Sequence, residues 1–402
     1  MLTKTRVPLL VVALVFWMAP TTPAQDYAPP LIEYPVPLGP VDQSGLFLGV
    51  EFLYWRQTNP IDEQLIATRG FFDSDGSITG NVGQFLGNNT PALDAKMVSG
   101  PENFQLGYNA FAGWRFRNGL VMTVHWWHLE DTKLTAGATL ASPLFRSGTN
   151  LADTFITAPV FNFPPEYAGQ ADNTGLGNLF ATYGIWNAAS VMTIQFNQRY
   201  DQFDLRARVP MFQTDDIRCY GLLGPRHVAF WERFKWRTVS FGVEEVQTAN
   251  GPILASVAGP DDVAIYSNVV SNRLYGGFLG AGTEYRLGDT PMGTFSISLE
   301  GEVALYADIV KARAKYERGD RFTSAHRTQR RQTFVPQVGA NAQLWWYPIE
   351  GVQIRIGYNF MAFFNTIASP KPVSFDFGLI SPGFERQIRL IDGLNAGIAI
   401  IF

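Results

Sequence analysis

The chain has 402 residues, a formal net charge of −4 from 31 Lys and Arg against 35 Asp and Glu, and a single cysteine, Cys219. An acidic balance without a basic domain argues against nucleic acid as a partner, and one cysteine excludes a small disulfide-stapled fold. Aromatics reach 14 % while charged residues stay at 16 %, against about 25 % charged in an ordinary soluble domain, which is the balance a lipid-facing β-barrel needs.

In chain order, Lys4 and Arg6 precede an apolar stretch from Leu9 to Met18, followed by the small residues Thr22, Pro23 and Ala24. That layout predicts a secretory signal peptide over 1–24, too short to span a bilayer as a helix. Its removal takes two positive charges and no acid, moving the net charge from −4 to −6. No later stretch approaches ~20 uninterrupted apolar residues, so membrane-spanning helices are not expected. Residues 25–44 are proline-rich and predict an extended periplasmic linker.

From residue 45 onward the chain alternates. Leu46, Leu48, Val50, Phe52 and Tyr54 share one face of a strand, with Glu51 on the other. Phe104, Leu106, Tyr108, Ala110, Ala112, Trp114 and Phe116 oppose Asn103, Gln105, Asn109 and Arg115. Asn118-Gly119 then predicts a tight turn into Leu120, Met122, Val124 and Trp126. Further on, Phe203, Leu205, Ala207 and Val209 oppose Asp204, Arg206 and Arg208. Phe295, Ile297, Leu299, Val303 and Leu305 oppose Glu300 and Glu302, and Val310, Ala312, Ala314 and Tyr316 oppose Lys311, Arg313 and Lys315. Val352, Ile354, Ile356, Tyr358 and Phe360 oppose Gln353, Arg355 and Asn359, and the last residues alternate up to Phe402.

Short links near 117–119, 288–293 and 348–350 alternate with long ones at 56–102, 132–198, 247–270, 318–332 and 365–391. This asymmetry predicts an all-β, transmembrane, antiparallel up-and-down β-barrel over 45–402, with short periplasmic turns and long external loops. About twelve strands are expected, within ten to fourteen. A soluble β-sandwich or lipocalin-like barrel is the alternative; it would turn the apolar face inward.

The segments GVEFLYWR (49–56), GLLGPRHVAFWERF (221–234), SNRLYGGFLGAGTEYRLGD (271–289), FVPQVGANAQLWWYPIEGVQIRIGYNFMAFFNT (334–366) and GLNAGIAIIF (393–402) resemble the β-barrel porin family abundant in planctomycetes, related to the Legionella-type pore-forming outer-membrane proteins. The resemblance implies a bacterial outer-membrane barrel and a pore, with no catalytic residues to carry over. It implies outer-membrane lipid and lipopolysaccharide as surroundings, and barrel-assembly machinery reading the final strand through Phe402.

No cofactor is expected. His125 and His128 lie three apart, on opposite faces of a strand, so they cannot share a metal ion. Asp73 and Asp75 before Gly76 begin like a Ca²⁺ loop but lack the remaining acids. Four histidines stand in no recognisable nucleophile arrangement, and enzyme activity is not expected. Arg226 and Glu232, an even six apart, share a face and suggest a lumen ion pair or network. The basic run from Lys311 to Arg331 reads in three ways: a constriction facing acids, a contact for lipopolysaccharide phosphates, or an exposed loop of scattered charge.

The expectation is a passive outer-membrane pore lined by Glu51, Asn103, Gln105, Arg115, Arg206, Arg208, Glu300, Glu302, Lys311, Arg313, Lys315 and Arg355. The alternative is a non-conducting structural or surface-display barrel, recognisable by bulky aromatics crossing the lumen or by a folded-in 132–198 loop.

Overall fold

The computed structural model describes residues 45–402 apart from 74–75, 77, 100–103, 141–150, 163–184, 215, 241, 249–250, 258, 322–323 and 350. The segments expected to be a signal peptide and a linker lie outside the described residues.

Ten antiparallel strands close into a ring. They are β1 (Gly45–Gln57), β2 (Gln105–Arg115), β3 (Val121–Thr139), β4 (Val191–Gln213), β5 (Ile217–Val239), β6 (Val263–Thr290), β7 (Gly293–Arg318), β8 (Ser324–Ile349), β9 (Val352–Ala368) and β10 (Glu385–Ile401). Each pairs with its sequence neighbours, and β1 pairs with β10 from Phe47↔Ile401 to Gln57↔Ile391, leaving no open edge. Closure matters in lipid, where an unpaired backbone group costs several kcal/mol.

The count is ten rather than twelve, at the lower edge of the expected range. Residues 294–306 and 310–316 are parts of the single strand β7, and β8 continues through most of what reads as a loop at 318–332. Residues 217–239 form one strand, and Gly242–Thr248 instead pairs with Gly251–Val257 in a hairpin off the barrel.

The tight turns after β2, β4, β6 and β8 lie at the end that also holds Gly45 and Ile401, which marks it as periplasmic. The first is built as its sequence requires. Gly119 takes φ +80, and the Asn118 side-chain oxygen accepts from the Leu120 backbone N–H at 3.1 Å.

Apolar side chains face outward. Leu46, Leu48, Val50, Phe52 and Tyr54 on β1 and Ile297, Leu299, Val303, Leu305 and Ile309 on β7 are all exposed. Ile309 lies twelve residues beyond Ile297, twelve steps along the strand. At ~3.3 Å per residue and ~45° of tilt they cover ~28 Å, close to the ~25 Å apolar band of an outer-membrane wall. Aromatics mark its edges. Phe295 stacks on Trp346 at the periplasmic rim, and Trp126, Phe203, His227 and Tyr275 follow one register row towards the outer rim. This outward apolar wall rules out the soluble alternative.

The external connections fold over the mouth. Leu65–Arg69, Pro91–Asp94 and Ile156–Thr157 form a three-stranded sheet, and Phe71–Asp73 pairs with Gln84–Leu86. Asp73, which begins like a cation loop without its remaining acids, accepts from the backbone N–H groups of Ile78 and Thr79 and from the Thr79 hydroxyl, which makes it the anchor of its own turn. Asp75 lies outside the described residues.

Candidate functional site in the barrel interior

The inward face of β5 shows what fills the lumen. Read from the periplasmic end it carries Tyr220, Leu222, Arg226, Val228, Phe230, Glu232, Phe234 and Trp236, all buried. The other walls continue this mixture of ion pairs and aromatic rings.

Nearest the periplasm, Arg218 approaches Glu284 at 3.5 Å, and Glu284 accepts from the Ser296 hydroxyl at 2.6 Å. Beside it, Glu300 accepts from Arg208 at 2.6 Å, Arg206 at 3.2 Å and the Tyr220 hydroxyl at 3.0 Å. Glu302, two residues further along β7, is clamped at two points by Arg226, which also donates to Gln337. Asp204 on β4 lies 3.6 Å from both Arg206 and Arg226 and accepts from the Trp127 indole N–H at 3.1 Å. On the opposite wall Glu51 contacts Arg355 at 2.5 Å and accepts from Asn109 and Asn395.

Rings cover the guanidinium faces. Arg226 lies 4.1 Å from the centroid of Phe278, Arg208 4.3 Å from Tyr220 and Arg355 4.3 Å from Phe111. Such stacking suits Arg, which is weakly hydrated and planar.

Above this charged layer an apolar one spans the bore. Trp55 stacks on Trp127 at 5.2 Å, Phe230 meets Phe363 edge-on at 5.2 Å, and Tyr200, Tyr306, Leu274 and Met361 fill between them. Higher still, Arg389 on β10 clamps Glu232 on β5 at two points while donating to Thr366. At the external mouth Trp186, from the connection after β3, enters between the walls. It packs 4.2 Å from Trp236, 5.2 Å from Phe377 and 5.8 Å from Tyr316. Ile66, Leu93, Ile156 and Val373 from the external connections complete that core. Between the charged and apolar layers remains a cavity of about 20 Å³ lined by Trp55, Trp127, Arg206, Arg226, Glu300 and Glu302 among others, room for about one water molecule.

Of the residues expected to line the lumen, Glu51, Gln105, Arg115, Arg206, Arg208, Glu300, Glu302 and Arg355 sit on the inward face. Asn103 lies outside the described residues. Lys311, Arg313 and Lys315 do not line it. They point outward while Val310, Ala312, Ala314 and Tyr316 point in. The reason is parity: β7 is unbroken, and an odd separation of eleven residues from Glu300 puts Lys311 on the other face. Arg226 and Glu232 do share the inward face, each engaged with a partner on another strand: Glu302 for Arg226, Arg389 for Glu232. Asp204, Asn109, Asn395, Glu284 and Arg389 are network members outside the expected lining. Their signal was available for the first two, which alternate with recognised apolar positions; nothing local in sequence links Arg389 to Glu232, 157 residues away.

His125 and His128 face opposite sides. The former is buried beside Asn109 and between the rings of Phe111 and Trp127, and the latter reaches Asp201 at 2.7 Å on the outer surface. Among the described residues no group of three or more His, Cys, Asp or Glu is arranged to hold a metal ion.

A closed antiparallel ring with a lipid-facing exterior and a charged, ring-lined interior defines an outer-membrane β-barrel. The family model described as Legionella pneumophila major outer membrane protein precursor matches residues 39–379. The chain belongs to that family, and its place is the outer membrane. The match carries the Legionella-type part of the resemblance read from the sequence. No curated protein matches. Solved structures with similar outlines include the outer membrane protease OmpT of Escherichia coli (10% identity, 89% of this chain and 97% of that chain, TM-score 0.38). Others are a FadL homologue of Pseudomonas aeruginosa (9%, 90% and 90%, TM-score 0.21) and an anion-selective porin of Comamonas acidovorans (9%, 90% and 99%, TM-score 0.14). At these TM-scores none carries an argument about this chain.

Proposed function

We propose that this porin-type barrel is sealed in the state described here and serves as a rigid transmembrane scaffold for its packed external cap, without enzymatic chemistry. The observation that carries the reading is the series of buried side chains along the inward face of β5, from Tyr220 to Trp236, interrupted only by Gly224. About eight strands give an interior that side chains fill, whereas 16–18 leave an aqueous channel. Ten strands lined by this many rings fall on the filled side.

A second reading, passive diffusion of small ions or solutes, is favoured by one feature. The Arg206, Arg226, Glu300 and Glu302 layer borders the water-sized cavity, and ion pairs there could exchange partners to admit ions. Single-channel current across a planar bilayer separates the two. The sealed reading expects folded, heat-modifiable protein with no steady conductance. Stepwise current proportional to salt concentration would overturn it and establish the pore. The assembly role of the strand ending in Phe402 stays a proposal alongside.

A further inference from the structure

We infer that the outer wall of the barrel, where β6, β7 and β8 rise above the lipid band, carries a binding site for phosphorylated lipid headgroups of the outer leaflet. Four cations define it: Arg273 on β6, Lys311 and Arg313 on β7, and Arg330 on β8. All four are exposed on the outward face.

Register brings them together. Lys311 pairs directly with Arg330, and Arg273 pairs with Ile309, one step along the same face from Lys311. Directly opposed residues have Cβ atoms ~4.5–5.5 Å apart, and like charges in that relationship destabilise a sheet. A wall selected only for stability would place an acid there. The barrel does supply acids to outward cations elsewhere: Lys315 contacts Glu317, two residues further along β7, at 2.7 Å, and Arg199 on β4 holds Asp131 of β3 at two points. Arg273, Lys311, Arg313 and Arg330 form no ion pair with any described residue. Their flanking outward positions are Val269, Ser271, Ala229, Thr328 and Gln332, none of them acidic.

Height selects the ligand. Immediately below lie the exposed apolar residues Ile309, Tyr275 and Phe334, and further down Leu305 and Leu279. Lys311 is two residues beyond Ile309, ~7 Å along the strand, which sets its ammonium at the level where headgroup phosphates meet the hydrocarbon. Arg offers phosphate a bidentate fork and Lys a mobile point charge. An anionic lipid with its acyl chains on Leu305 and Phe334 can therefore engage the cations without leaving the bilayer. The site lies outside the lumen and stands whether the barrel conducts or not.

The test uses the full folded protein in phosphatidylcholine nanodiscs, titrated with bisphosphorylated lipid A and read by native mass spectrometry. Retention of lipid A is expected to fall about fivefold for each cation removed, in Lys311→Gln and further in Lys311→Gln with Arg273→Gln and Arg330→Gln. Arg117→Gln, at an exposed periplasmic turn, should leave it unchanged. Equal retention by wild type and the triple variant would overturn the site. So would displacement of lipid A by millimolar inorganic phosphate, which would reduce it to a free-anion site. Heat-modifiability of every variant on gels confirms that the barrels compared are folded.

Discussion

Arg226 on β5 and Glu302 on β7 are joined on the lumen side of the wall at two points, with Nη2 2.9 Å from Oε2, although β6 lies between their strands. The pair reaches over Phe278 of β6, whose ring lies 4.1 Å beneath the guanidinium. Asp204, 3.6 Å away, is shared between this cation and Arg206. Removing one partner from a buried pair costs ~3–5 kcal/mol because the other charge is left uncompensated. Arg226→Gln should therefore lower the urea midpoint of the refolded barrel strongly. The double variant Arg226→Met with Glu302→Leu should recover much of the loss, and a double variant as unstable as the single one would show that the pair specifies more than charge balance.

The stacked rings of Trp55 and Trp127 should act as the apolar seal. Truncating a large buried aromatic costs ~3–5 kcal/mol and leaves a void. Here that void would adjoin the existing cavity. Trp55→Ala combined with Trp127→Ala is expected to admit water and give a measurable leak in liposome-swelling or planar-bilayer assays where wild type gives none. A double variant as tight as wild type would place the seal elsewhere.

Closure at the seam has its own vulnerable point. A Cβ built on Gly397 of β10 would lie 2.4 Å from the Glu51 Cγ and 2.7 Å from the Val50 carbonyl oxygen of β1. Both contacts are inside van der Waals distance, and the second is backbone that cannot rotate away. Gly397→Val should therefore block β1–β10 pairing and abolish the heat-modifiable folded band on gels, whereas Gly301→Ala, with open space around its Cβ position, should retain it.

The lipid band can be mapped by charge. Leu305 is exposed on the apolar wall of β7, where an Arg near the bilayer midplane costs ~2–4 kcal/mol. Leu305→Arg should lower the folding free energy in lipid vesicles by that order, while Leu305→Ile changes it little. An Arg tolerated at 305 as well as at 313 would move the membrane boundary downward.

Much of this barrel is legible in the chain itself. The period-two alternation of Leu46 to Tyr54 or Phe104 to Phe116 is local, because successive side chains must point to opposite faces, and Asn118-Gly119 announces its own turn. Composition adds that the exterior is lipid-facing. Three things are decided only by the tertiary structure. The continuity of β7 through residues 307–309 fixes that Glu300 and Lys311 face opposite sides, since short windows show two faces without relating one window's phase to the next. Ring closure brings Arg389 to Glu232, and the inward curvature of the wall brings Arg226 to Glu302 over β6, contacts between strands that no local spacing encodes. The bore of a ten-stranded ring, set by strand number and tilt, makes the rings of Trp55, Trp127, Phe230 and Phe363 meet across the middle, so the same inward residues that could line a wide channel here fill a narrow one.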